Sequence, residues 1–199
     1  DTPGGIITDG EVIIDFGPKL INKNLPQDME IVDCGGKCLA PGLVDIRIEI
    51  GNLAATVGAA VAGGVTSAVC LPNTDPVIDD MSVVEFVARR ARKQGKSKVY
   101  PYGAVTKGLR GLELAELGLL AESGAVAFSD GVQAVANTQV MRRALSYAST
   151  FNLMIVQHPE DPCLAGEGVA TAGETATRLG LFGIPAEAEV IMIERDLRL

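Results

Sequence analysis

Residues 41–71 read PGLVDIRIEIGNLAATVGAAVAGGVTSAVCL. Two largely apolar runs, at residues 43–50 and 66–71, flank a stretch of small residues at 53–62 that suits a helix. Apolar runs without alternating polar residues are typical of strands that are covered on both faces. This segment therefore predicts one strand–helix–strand unit of a parallel sheet.

The same alternation continues along the chain. Further strands are predicted at residues 98–104, 125–128 and 153–156. Further helices are predicted at residues 82–93, 112–122, 138–148 and 187–197. Asp80 and Asn137 stand where two of these helices need N-caps, and Pro185 suits the start of the last. The pattern predicts the α/β class, and an open Rossmann-like sheet and a (β/α) barrel both fit it.

Glycine-rich phosphate loops are missing from this pattern. Neither G-x-G-x-x-G after the first core strand nor G-x-x-x-x-G-K-[ST] anywhere occurs in the sequence. An eight-stranded barrel needs about 250 residues. A barrel built from this chain would therefore be the first part of one, with five of its strands.

Residues 1–40 differ from the rest of the chain because they are rich in turn residues. Asp9-Gly10 precedes a short apolar run at residues 12–14, and a second short strand is predicted at 30–32. We expect residues 1–40 to be part of a small β domain. Residues 41–199 are expected to be the N-terminal portion of the barrel.

The composition of the 199 residues excludes several classes of protein. A hydrophobic content of 47% excludes a disordered chain, and a net charge of −8 argues against nucleic-acid binding. No apolar stretch approaches the length of a membrane span. The four cysteines are scattered, which favours a reducing, cytoplasmic location. The single histidine is a poor supply of the commonest metal ligand.

Several short motifs follow one another in a fixed order. They are PGLVD at 41–45, AGGVT at 62–66, LPNTDP at 71–76, FSDG at 128–131, HPED at 158–161 and LGLFGIP at 179–185, with AE at 188–189 and RDL at 195–197. In this order they resemble the class I dihydroorotase family of the amidohydrolase superfamily. Any one of these motifs is weak evidence alone, and their common order carries the resemblance.

The resemblance implies a TIM-type (β/α)8 barrel of the metallo-dependent hydrolase kind, with its first five strands present, and part of a small β-sandwich domain. It also implies a zinc site at the C-terminal mouth of the barrel. The implied reaction is the reversible interconversion of dihydroorotate and carbamoyl aspartate in pyrimidine biosynthesis. A bound metal supports such cyclic-amide hydrolysis because it lowers the pKa of water and polarises the carbonyl.

The sequence departs from the family pattern at the end of the first core strand. The two positions of the family's His-x-His metal motif hold Arg47 and Glu49. A guanidinium cannot ligate a metal, whereas Glu49 could act as a ligand or pair with a neighbouring arginine. The family arginine that grips the substrate carboxylate is replaced by Gly51, and the predicted helix begins almost at once. A deletion in the protein and a stretch omitted from the sequence both explain this short connection.

Other family positions are retained. Asn73 matches the family asparagine that helps to bind the substrate carboxylate, although a turn residue is the plainer interpretation. Asp130 matches an acidic metal ligand and is the candidate catalytic residue, with a cap or turn role as the alternative. His158 ends the fifth predicted strand, matches a metal ligand, and is otherwise a half-buried histidine.

Three hypotheses follow. Asp130 and His158 alone fall short of the three protein ligands usual in a catalytic zinc site, so the first is a family member with impaired or lost catalysis. By resemblance, such a protein serves as a scaffold for aspartate transcarbamoylase, and it is expected to be a homo-oligomer. The second is an active amidohydrolase with a rearranged site that includes Glu49. The third is a non-enzymatic module that binds a small acid.

An ion pair in the metal position would discriminate between the first two hypotheses. A pair of Arg47 with Glu49 or with Asp130 would favour inactivity. Zinc bound beside Asp130 and His158 would count against it.

Overall fold

The computed structural model describes residues 3–22, 26 and 29–199. The contacts divide the chain into two compact units, Asp1–Pro41 and Gly42–Leu199. That these units are parts of a small β domain and of a barrel remains a prediction.

The first unit contains an antiparallel hairpin. β1 (Gly5–Asp9) pairs with β2 (Val12–Gly17), and Gly10 turns the chain with a φ of 55°. The turn therefore uses the Asp-Gly dipeptide that such hairpins favour. The strand predicted at residues 30–32 is wrong, because these residues are exposed and have no regular secondary structure.

The second unit is built on a parallel sheet of three strands. These are β3 (Leu43–Ile48), β4 (Val65–Cys70) and β5 (Lys98–Pro101), in the order β3-β4-β5. α1 (Leu53–Ala62) and α2 (Met81–Gln94) connect them. The predicted α/β class with parallel strands is confirmed.

Side-chain caps fix where the connecting helices begin. The side-chain oxygen of Asn52 accepts the backbone N–H groups of Ala54 and Ala55 at the start of α1. Asp80 caps α2 as predicted, because its carboxylate accepts the backbone N–H and the hydroxyl of Ser82. These hydrogen bonds hold the pKa of Asp80 below its usual range, the hydroxyl contributing most.

The parallel order continues through two shorter contacts. Residues 125–128 and 153–156, predicted as strands, are reduced to single bridges in which Phe128 pairs with Gly103 on one side and Ile155 on the other. The backbone N–H of Phe128 donates to Met154, and that of Val156 donates to Phe128. Five parallel segments thus lie side by side in chain order. The complete barrel is not formed by the described residues and remains a prediction.

The remaining elements are mostly short. They are α3 (Leu117–Glu122), α4 (Thr138–Thr150), α5 (Pro162–Ala165), β6 (Ala170–Thr171), α6 (Glu174–Arg178), β7 (Gly183–Ile184) and α7 (Glu187–Arg198). The helix predicted at residues 112–122 begins late, because Leu114 instead forms an antiparallel bridge with Thr106. Asn137 caps α4 as predicted. No helix in the described part of the chain is long and apolar enough to cross a membrane.

The apolar core lies between the sheet and the helices. Phe128, Ile78 and Leu120 are among its largest fully buried side chains. Cys70 belongs to this core, and burial raises the pKa of its thiol to about 12. Packing on this core holds the strands parallel, so their C-terminal ends meet at one edge of the sheet.

Candidate functional site at the strand ends

The C-terminal ends of the parallel segments bring the residues predicted for the site to one edge of the sheet. Arg47 and His158 line the same two cavities there. Asn73 packs against Gly131, which follows Asp130 and lines one of these cavities. The family positions identified in the sequence are therefore neighbours in space, although their individual roles remain predictions.

Arg47 contacts His158 directly. The register of β3 and β4 shifts between Asp45 and Ile48, and the backbone N–H of Arg47 donates to the carboxylate of Asp45 at 2.9 Å. The guanidinium Nη1 lies 3.5 Å from Nδ1 of His158, a hydrogen bond when Nδ1 carries no proton. Strand β3 thus places the positive charge of Arg47 beside the only histidine of the sequence.

The ion pairs considered from the sequence are not formed. Within residues 3–22, 26 and 29–199, Arg47 forms no salt bridge with Glu49, with Asp130 or with any other carboxylate. Glu49 is exposed to solvent, whereas Asp130 is buried. The test proposed from the sequence therefore has a different outcome: the partner of Arg47 is His158.

Asp130 is engaged in a buried hydrogen-bond network. One carboxylate oxygen accepts the backbone N–H groups of Val105 and Thr106, each at 2.9 Å. The other accepts the hydroxyl of Thr106, whose oxygen also accepts the N–H of Gly111 at 2.9 Å. Burial raises the pKa of Asp130 even though these hydrogen bonds oppose the shift. Both oxygens therefore hold the loop after β5 in place, so these hydrogen bonds stabilise the fold.

Gly131 allows Asn73 to approach the site. Its φ is +72°, and a Cβ at this position would lie 3.2 Å from Oδ1 of Asn73. The N–H of Gly131 donates to the hydroxyl oxygen of Ser129. Glycine suits this position for two reasons: the backbone is in the left-handed region, and the side chain of Asn73 lies where a Cβ would be crowded.

The donor groups present do not fit a catalytic zinc ion. A catalytic zinc site uses three protein ligands, and the described residues contain no group of three His, Cys, Asp or Glu side chains that could hold a metal. Both carboxylate oxygens of Asp130 accept hydrogen bonds from the loop after β5, and the ring of His158 lies beside the guanidinium of Arg47. The assignment of Asp130 and His158 as ligands remains a prediction that this geometry does not support.

Two cavities share Arg47 and His158. One has a volume of about 220 Å³ and contains no carboxylate among its lining residues. The other has a volume of about 320 Å³ and is also lined by Glu160 and Glu189. Arg47 is therefore the only formally charged side chain that lines the smaller cavity. In the larger cavity two glutamates outnumber it.

Sequence reasoning missed the contacts that hold the loops around the site. The side-chain amide of Gln157 pairs with both backbone groups of Val135, and Arg195 donates to the carbonyls of Val135 and Ala136 at 2.9 and 2.6 Å. Thr106 is missed as well, although a lone threonine two positions after the apolar strand predicted at residues 98–104 is a signal that could have been used. The arginine and glutamine contacts span 60 and 22 residues, so no local pattern indicates them.

Comparisons with known proteins identify the family of this chain. The family described as "Dihydro-orotase-like" matches residues 36–199. A dihydroorotase of Syntrophobacter fumaroxidans is 43% identical over 206 aligned residues, covering 98% of this chain and 46% of the relative. A dihydroorotase of Pelobacter propionicus is 45% identical over 182 residues, covering 87% of this chain and 43% of the relative. A "Dihydroorotase-like protein" of Pseudomonas putida is 46% identical over 176 residues, covering 84% of this chain and 42% of the relative.

The parallel α/β architecture and these matches define the class of protein. The chain belongs to the dihydroorotase family. It spans slightly less than half the length of the curated relatives it matches.

Proposed function

We propose that this chain is part of a dihydroorotase-like protein of pyrimidine biosynthesis whose metal-dependent catalysis is impaired or lost. One observation carries the proposal: the guanidinium of Arg47 occupies the neighbourhood of His158, where the family would hold its metal. The family membership supports the pathway, and the relatives named dihydroorotase support the substrate class, dihydroorotate and carbamoyl aspartate.

Two features of the site oppose metal binding: the positive charge of Arg47 and the shortage of free ligand atoms. A divalent cation on His158 would lie next to the positive charge of Arg47, and like-charge repulsion opposes that. Taking Asp130 as a ligand through its other carboxylate oxygen would displace the hydroxyl of Thr106, a buried hydrogen bond to a charged group. Zinc, the cofactor of the family, is therefore a poor fit for this chain.

The proposed role without catalysis is that of a scaffold. By the resemblance, the partner to test is aspartate transcarbamoylase, and a homo-oligomer in the cytoplasm is the expected assembly and location. A non-catalytic subunit needs its outer surface and fold but not its metal ligands. The retained core and the altered strand end are compatible with this division.

The direct experiment uses the purified full-length protein. We expect no stoichiometric zinc and no zinc-dependent hydrolysis of dihydroorotate, because three protein ligands are lacking. Co-purification with aspartate transcarbamoylase is expected in the same preparation. Robust zinc-dependent turnover would refute the loss of catalysis.

A second candidate is an active enzyme with a rearranged metal site. The exposed carboxylate of Glu49 favours it, since this side chain forms no ion pair with any described residue and is free to bind a metal. Glu49→Gln should then abolish zinc binding and turnover. Under the proposal above, the same substitution changes neither property.

A further inference from the structure

The smaller of the two cavities at the strand ends carries a single formal charge. Its volume is about 220 Å³, and Arg47 carries that charge among the nine residues that line it. None of these residues is an acid, and Arg47 has no carboxylate partner anywhere in the described ranges. In a chain with a net charge of −8, this cavity concentrates an uncompensated positive charge.

The polar groups around this cavity are rich in unused donors. Tyr102 lines the cavity and has a phenolic hydroxyl that can donate a hydrogen bond. The hydroxyl oxygen of Ser129 accepts from Gly131, which leaves its proton available as a donor. A guanidinium and two hydroxyl groups that can donate hydrogen bonds are complementary to the oxygens of an anion.

The rest of the lining is apolar. Ile46, Leu71 and Val156 supply aliphatic surface next to these donors. A volume of about 220 Å³ equals that of roughly seven liquid waters, at about 30 Å³ each. The cavity therefore suits a small molecule that has one anionic end and a short hydrocarbon end.

We propose that this cavity binds a short aliphatic monocarboxylate, whose carboxylate is held by Arg47 together with Tyr102 and Ser129. Planar guanidinium groups bind carboxylates through charge-assisted hydrogen bonds, which are stronger than neutral ones. The proposal rests on the metal-free site proposed above, because the ligand carboxylate would take the place next to Arg47 and His158. The larger cavity is a poor second choice because Glu160 and Glu189 repel an anion.

Butyrate and butyramide provide a matched pair of probes for the full-length protein. Isothermal titration calorimetry at constant ionic strength should show butyrate binding and at least tenfold weaker binding of butyramide, which has the same shape without the charge. Arg47→Gln should weaken butyrate binding at least tenfold, and Tyr102→Phe should weaken it severalfold. Arg142→Gln, an exposed arginine on α4, is the matched control and should stay within twofold.

Two results would overturn the proposal. One is equal affinity for butyrate and butyramide, and the other is unchanged butyrate binding in Arg47→Gln. Circular dichroism of each variant checks that it is folded, and Arg47→Lys should retain part of the affinity because it keeps the charge.

Zinc content measured on the same samples separates the two proposals. A protein with bound zinc contradicts the metal-free function and the ligand together. A zinc-free protein that does not bind butyrate contradicts only the ligand site.

Discussion

Arg47 and Asp130 lie at the ends of parallel segments of the same sheet, yet their surroundings are opposite. Arg47 is exposed; its guanidinium lies within hydrogen-bond distance of the ring of His158 and forms no ion pair with any described carboxylate. Asp130 is buried, and both of its oxygens accept hydrogen bonds from the loop after β5. The comparison teaches that position at a strand end does not assign a role. The hydrogen-bond partners around a charged side chain decide whether it can bind a ligand or instead stabilises the fold.

The largest effect is expected from removing the buried carboxylate. Asp130→Ala should lower the free energy of unfolding by about 3 kcal/mol, because it leaves the buried N–H groups of Val105 and Thr106 without acceptors. Urea unfolding of the full-length protein measures this.

Asp161→Ala is the matched control for that change. Asp161 also accepts two backbone N–H groups, from Cys163 and Leu164, but at a less buried helix start that water can reach. Its loss should cost only about 1 kcal/mol. Equal costs for the two substitutions would remove the contrast between a buried network and an ordinary cap.

A smaller effect is expected from the hydroxyl that bonds to Asp130. Thr106→Val removes this donor while keeping the shape, and should cost about 2 kcal/mol of unfolding free energy. Thr106→Ser keeps the hydroxyl and should cost clearly less. If the serine and valine variants were equally destabilised, the hydrogen bond would not be the cause.

The pH dependence of stability sharpens the description of Asp130. Burial raises its folded-state pKa above the ordinary value of 3.8, so the protonated form favours the folded state. The stability that Asp130 contributes is therefore fully present below about pH 4 and is lost as pH rises through the folded-state pKa.

Asp130→Asn tests this sign because the amide does not titrate. The unfolding free energy of the wild type should fall relative to that of Asp130→Asn as the pH rises from 4 to 7, measured by urea unfolding at each pH. A difference that grows in the opposite direction would mean that the hydrogen bonds of Thr106 outweigh burial.

The smallest effect on stability is expected at the other strand end. Arg47→Gln should change the unfolding free energy by less than about 0.5 kcal/mol, because an exposed side chain loses little on substitution. Thermal unfolding of the two proteins checks this. A loss comparable to that of Asp130→Ala would show that Arg47 supports the fold rather than a ligand.

Local patterns predicted the regular part of the fold. The helix predicted at residues 53–62 coincides with α1, and Asp80 and Asn137 cap the helices assigned to them. Helical periodicity and capping depend on residues a few positions apart, which the sequence displays directly. The strands at residues 125–128 and 153–156 shrank to single bridges because their neighbours in the sheet set the pairing.

The candidate site was predicted by family position and not by contact. The motifs located Arg47, Asn73, Asp130 and His158, but not their partners. The contact of Arg47 with His158 spans 111 residues, and the bond of Thr106 to Asp130 spans 24. Such pairings follow from tertiary packing, which no short window of sequence contains. They show that Asp130 holds the loop after β5, while its assignment as a metal ligand stays a prediction.

Zinc content and zinc-dependent dihydroorotate hydrolysis of the full-length protein test the central claim most directly. We expect a protein without stoichiometric zinc and without turnover, both before and after zinc is added. About one zinc per chain together with robust zinc-dependent hydrolysis would contradict it.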